Sequence, residues 1–330
     1  MPRLKSPERS QPKLSIILPW LGDDRLFEDS LASILRNRPD DCEILIPHNG
    51  ELTDEHGLAG EVVFLPQSNG RNLTALVNQA FEYSGGEIVH LLRPGVEVDE
   101  GWCERPIEIL KGNSKIASTA PPILNACQPK QILVSGISCS KSCKRIMIGG
   151  DSKSSWRKMN KKVFGPSSWC AFYRREPLEQ IFQAVGQFGD PDFCDATLDL
   201  DLALSLKGLG YQHQVTSDYS VSSECPIDEE RFDQSGLDAN RLRVRHRRYL
   251  AKPNVLTGLL EIMGDAVAAF GSRANTRYLI DRLTNRKELV ADRNFAKCLS
   301  SARLSLYGQK SLELANVNRD TLSEALSEAA

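Results

Sequence analysis

The sequence predicts an α/β fold: a mostly parallel sheet flanked by helices, followed by a helical C-terminal extension. Three observations carry that prediction. Short apolar runs recur along the first hundred residues, as in Leu14-Ser15-Ile16-Ile17-Leu18 and Glu87-Ile88-Val89-His90-Leu91-Leu92. Such runs read as strands buried on both faces. Between them the apolar residues repeat at helical spacing, which is the βαβ pattern. Beyond about residue 225 the strand-like runs cease and only helical spacing remains.

The elements follow in order. The first strand, 14–18, stops at Pro19. Leu26, Leu31, Ile34 and Leu35 make one helix face, which Pro39 ends. The second strand, 43–46, runs into His48-Asn49-Gly50, and 62–65 forms the third. Leu73, Leu76, Val77, Ala80 and Phe81 define the next helix, and 87–92 the fourth strand. From 115 to 164 the pattern loosens. Residues 132–138 read as a strand, and the Ser-, Lys-, Arg- and Gly-rich stretch 141–162 as a mobile loop beside the sheet. A strand resumes at 168–173. Leu198, Leu202, Leu206 and Leu209 then form a helix face that stops at Gly210, and 211–216 is a final strand. Leu256, Leu259, Leu260, Met263, Val267 and Phe270 return to helical spacing. The chain divides into a tail at 1–12, an α/β domain at 13–224 and a helical extension at 225–330.

Composition narrows the classes of function. The chain has 330 residues and a net charge of −2, so no overall basic surface suits it to nucleic acid. Nine cysteines are scattered without a repeating framework, and the N-terminus carries no apolar leader. Both suggest reduced thiols in a cytoplasmic setting. No run reaches the roughly 20 apolar residues of a membrane span, which leaves only peripheral membrane contact. Cys139 and Cys143 lie close, but no second pair or His stands nearby to complete a zinc site. The basic run 241–248 reads as a solvated helix face, because its charges spread around the helix and nearby acids offset them.

Three stretches carry chemistry. The first is Pro19-Trp20-Leu21-Gly22 with His48-Asn49-Gly50, at the ends of two strands. The second is Leu92-Arg93-Pro94-Gly95-Val96-Glu97-Val98 followed by Gly101-Trp102. The third is Thr197-Leu198-Asp199-Leu200-Asp201-Leu202 with Gly210-Tyr211 downstream, preceded by Trp169-Cys170-Ala171-Phe172-Tyr173. In this order they resemble the family 2 glycosyltransferases, over about two-thirds of the chain. The resemblance implies a nucleotide-sugar-binding domain that moves a sugar from a nucleotide-diphosphate donor to a hydroxyl or glycan acceptor. It assigns Pro19, Trp20, His48, Asn49 and Arg93 to the donor, Trp169 and Asp201 to the acceptor side, and Asp199 to the general base.

The sequence departs from the family at the metal motif. Arg93 and Gly95 stand where that family carries the acids of its DxD motif, and no His follows Tyr219. A Mg²⁺ or Mn²⁺ site needs oxygen ligands, so a divalent metal at the usual place is not expected. Arg93 either neutralises diphosphate charge itself or pairs with a surface carboxylate. His48 replaces a carboxylate that would accept from the base. The alternative function is an inactive relative that binds a glycan, a nucleotide or a protein partner.

Overall fold

A computed structural model describes residues 12–67, 72–140, 145–150, 163–193, 195–216 and 219–224, together with Val244 and a few residues between Asn294 and Ala302. The tail, most of the extension, most of the basic run and Cys143 lie outside the described residues.

The predicted α/β class holds. Seven strands form one sheet: β1 (Leu14–Ile17), β2 (Cys42–His48), β3 (Val63–Pro66), β4 (Ile88–Leu92), β5 (Ile116–Ala120), β9 (Cys170–Arg174) and β10 (Gln212–Val215). Their order is β10-β5-β9-β4-β1-β2-β3. All run parallel except β9, which is antiparallel to β4 and β5. From β1 the chain moves outward to β2 and β3, then returns across β1 to β4. That reversal opens a crevice at the carboxyl ends of β1 and β4, where ligands of open α/β sheets bind.

Among the described residues five named helices cover the sheet: α1 (Asp24–Asn37), α2 (Leu73–Tyr83), α3 (Glu104–Gly112), α4 (Arg175–Val185) and α5 (Leu198–Gly208). Strand side chains alternate between faces. Leu14, Ile16 and Leu18 pack on Phe27, Leu31 and Ile34 of α1, on the α1 and α3 side. Ile17, Leu45, Val89 and Leu91 pack on α2, α4 and α5. Phe295 and Ala302, from the C-terminal region, rest against this second face.

Part of the stretch read as a loosened pattern and a mobile loop forms strands, while residues 141–144 and 151–162 lie outside the described residues. β6 (Ile123–Asn125), β7 (Ile132–Cys139), β8 (Arg145–Gly150) and β11 (Val221–Ser223) form a second sheet of order β11-β6-β7-β8. Helix α5 lies between the sheets. Leu198, Leu202 and Leu206 face the large one, while Leu200 and Ala203 meet Ile137 of β7, Phe193 and Val244. Its first turns are therefore buried all round, as expected of a helix apolar on every side.

Candidate functional site

Residue types at the carboxyl edge fall into two groups. At the β1 and β2 ends, Pro19 and Trp20 are buried, and the Trp20 Nε1–H donates to Asp24 Oδ1 at 2.8 Å. The Trp20 ring borders a cavity of about 240 Å³ shared with Phe27, Leu52 and Phe64. His48 is buried edge-on to Phe64, and its Nδ1 accepts the Gly50 N–H at 3.2 Å. Burial lowers its pKa, so the ring stays neutral with its remaining proton on Nε2. Asn49 is spent locally: Oδ1 accepts from the Glu51 N–H and Nδ2 donates to Glu51.

The second group lies where β4 ends. Because β9 runs antiparallel, its leading residues arrive at the same edge, and the Arg93 N–H donates to the Trp169 carbonyl at 2.9 Å. The Arg93 guanidinium carbon sits 4.4 Å from the Trp169 ring centroid, a cation–π stack. Arg93 is only 7% exposed. Its Nε has no hydrogen-bond partner, and no carboxylate among the described residues pairs with it. The surface-pair alternative for Arg93 is thus absent here. Burial pushes its pKa down, and the charges of Asp195 and Asp199 oppose that push.

Gly95 is held in a turn. It has φ +91°, a conformation few side chains adopt. Its N–H donates to Ser30 Oγ at 2.9 Å, and its carbonyl accepts from Ser223 Oγ at 2.6 Å. A carboxylate-bearing residue at this position would be strained. Glu97 is tied by its backbone to Ser222. Among the described residues no three His, Cys, Asp or Glu side chains gather to hold a metal ion. The donors present at this turn, a guanidinium and a glycine, do not suit Mg²⁺ or Mn²⁺.

Asp199 opens α5, where the helix dipole favours a negative charge. Its side chain is fully buried. Oδ1 accepts from Arg145 Nε at 2.7 Å, and Oδ2 from Arg145 Nη2 at 2.6 Å and the Ser168 N–H at 3.2 Å. The residue assigned to the general base is therefore occupied by a bidentate arginine pair. Asp201 is buried on the same helix, and Trp169 serves as the platform under Arg93.

Sequence reasoning missed two members of this corner. Arg145 begins β8, inside the stretch read as a loop. Asp195 heads the 3₁₀ turn Asp195–Thr197, and its Oδ1 accepts the Leu73 N–H at 2.9 Å, at the start of α2. Around Asp199, the buried atoms Arg93 Nε, Ser168 Oγ and Tyr173 OH all lack hydrogen-bond partners among the described residues. Buried polar groups are normally satisfied, and these three are not among the described residues.

No protein-family model matches the chain, and no curated protein matches it. Among solved structures, the mannosyltransferase PcManGT from Pyrobaculum calidifontis, in complex with GDP-Man and Mn²⁺, is similar at 13% sequence identity with a TM-score of 0.49. That match covers 92% of this chain and 90% of the other. The class of this protein, a mixed α/β fold with a seven-stranded sheet flanked by helices, is defined by its own topology. No helix among the described residues is long and apolar enough to cross a membrane.

Proposed function

We propose that this chain binds a nucleotide-diphosphate sugar in the crevice between β1 and β4 and transfers the sugar to a hydroxyl or glycan acceptor. Arg93 holds the diphosphate without a divalent metal. The observation that carries this reading is the buried Arg93 side chain, its Nε without a partner among the described residues and its guanidinium stacked on Trp169, at the topological switch point. A buried guanidinium whose Nε finds no acceptor is costly. A diphosphate supplies the missing acceptors and suits the planar guanidinium fork. Trp20 and His48 stand at the neighbouring strand ends for the nucleoside. Tight turns at 49–51 and 95 keep both ends preorganised.

Calorimetric titration of UDP and GDP, each with Mn²⁺ and with EDTA, tests the proposal. Binding is expected to be nearly indifferent to the chelator. A strong requirement for Mn²⁺ or Mg²⁺ would mean that the metal ligands lie elsewhere in the chain. A second reading, binding without transfer, draws support from Asp199, whose carboxylate is engaged by Arg145. Release of free nucleotide from UDP-glucose or GDP-mannose in the presence of a glycan acceptor separates the two.

A further inference from the structure

We propose that Asp199 is a positioning residue of the anion site. Clamped by Arg145, it anchors the turn that carries Trp169 and thereby sets the Arg93 guanidinium for a diphosphate. The inference rests on the nucleotide-sugar reading above, and it takes the general-base role from Asp199. Three elements meet at this carboxylate. Arg145 comes from β8, the edge strand of the second sheet. Asp199 comes from the first turn of α5, and Ser168 from the turn leading into β9. Oδ1 accepts from Arg145 Nε at 2.7 Å; Oδ2 accepts from Arg145 Nη2 at 2.6 Å and from the Ser168 N–H at 3.2 Å. The Asp199 side chain has no exposed surface. An acceptor hydroxyl is offered neither an open face nor an unengaged oxygen, whereas a general base must come within hydrogen-bond reach of the proton it removes.

The contacts continue from Ser168 to the anion site. Ser168 and Trp169 are consecutive, so a hydrogen bond at the Ser168 N–H fixes the backbone from which the indole projects. The Trp169 carbonyl accepts the Arg93 N–H at 2.9 Å, and its ring centroid lies 4.4 Å from the Arg93 guanidinium carbon. Trp169 is thus held on both sides. Asp199 holds it through Ser168 before it, and the pairing of Cys170 with Leu92 holds it after. A buried ion pair gains little net stability over an apolar contact, because desolvation offsets its Coulomb attraction. What it supplies is direction, since a bidentate guanidinium fork holds a carboxylate in one orientation. An anion site binds more tightly when its cation is fixed before the ligand arrives, and the residues behind that cation do the fixing. In this way the second sheet acts on the site through Arg145 without touching the ligand.

The test is calorimetric titration of GDP and UDP in EDTA, with urea unfolding to check the fold of each variant. In Asp199→Asn one amide oxygen replaces a carboxylate on which three donors converge, so it cannot hold the Arg145 fork and the Ser168 N–H together. Affinity is expected to fall roughly three- to tenfold. Arg145→Lys keeps the charge but gives up the fork; it should lose at least about twofold, and it decides the matter if Asp199→Asn does not fold. A double-mutant cycle separates positioning from general loosening. In an Arg93→Met background Asp199→Asn should change the remaining affinity by less than about twofold, because its effect passes through Arg93. An equal loss in both backgrounds would overturn the proposal. So would parent-like affinity in Asp199→Asn, and if sugar transfer were lost at the same time, the base would return to Asp199. If the parent binds neither nucleotide, the nucleotide-sugar reading itself fails, and this inference with it.

Discussion

Two arginines, Arg93 buried and Arg145 partly buried, have opposite fates in this fold. Arg145 lies in a bidentate pair with Asp199 between two sheets. Arg93 lies on an indole face with no acceptor for its Nε. The same contrast extends across the molecule. In the core, His90 Nδ1 bonds the Ala171 carbonyl, Nε2 receives the Trp102 indole N–H at 3.3 Å, and the ring stacks on Phe172. His213 is bracketed by Ser118 Oγ and the Ala203 carbonyl. These groups are closed: each partner is supplied by the chain itself. Arg93, at the end of β4, is open. Closed polar groups fix the fold, and open ones are what a ligand would complete. The distinction has measurable consequences of opposite sign.

The largest expected effect belongs to the closed histidines. Burial lowers the pKa of His90 to about 3 and that of His213 to about 4. The unfolded chain binds a proton at each near the ordinary value of about 6.5, and the folded chain does not. Their contribution is intact above about pH 6.5 and is lost as pH falls toward the folded values. At about 1.36 kcal/mol per pH unit and group, the cost between pH 7 and pH 4 is on the order of 5 kcal/mol. Urea unfolding at stepped pH measures it. His213→Gln should flatten the dependence, and an unchanged slope would show that His213 titrates normally in the fold.

The arginines come next. Arg145→Ala leaves Asp199 buried and unpaired, and should cost about 3–5 kcal/mol of stability. Arg93→Met removes a buried charge that loses its stack on Trp169 but no ion pair, so stability should change by less than about 1–2 kcal/mol. The order reverses for ligand: Arg93→Met should weaken UDP or GDP binding by roughly 1.5–3 kcal/mol, the range for a charged hydrogen bond. Equal destabilisation by both substitutions would erase the difference between a closed and an open site.

How much of this was legible beforehand follows from the same physics. β1, β2, β4, α1 and α2 announce themselves because their buried positions hold Ile, Leu and Val at strand or helix spacing. β5 reads Ile116-Ala117-Ser118-Thr119-Ala120 and is wholly buried, yet its small polar residues give no apolar run. β8 hides Ile146-Met147-Ile148 within Lys, Ser and Gly, so its ordered neighbour Arg145 was read as loop. Chain direction leaves no trace in composition, and the antiparallel course of β9 could not be foreseen. Arg93 was found because it follows a legible strand. Asp195 was missed because an Asp ahead of a helix looks like that helix's own cap, whereas it caps α2, far away in sequence. Pro19, Trp20, His48 and Arg93 stand at or just beyond the ends of legible strands, so their positions could be read. The partners of Asp199 and Arg93 are tertiary and could not.

The smallest effect concerns the surface beneath Arg93. Trp169 adds no acceptor; it holds the guanidinium plane by its π face, worth about 0.5–2 kcal/mol depending on desolvation. Its backbone carbonyl, which accepts the Arg93 N–H, survives any side-chain change. Trp169→Phe keeps a face, though a weaker one, and should reduce UDP or GDP affinity by no more than about threefold. Trp169→Ala removes the face and frees the side chain, so roughly tenfold is expected, with Arg93 still present to bind. The graded pair separates positioning from direct contact. If Phe costs as much as Ala, the indole N–H or its bulk meets the ligand itself. If neither variant changes affinity, Arg93 is oriented by something other than its stack, and the open site is less preorganised than the geometry implies.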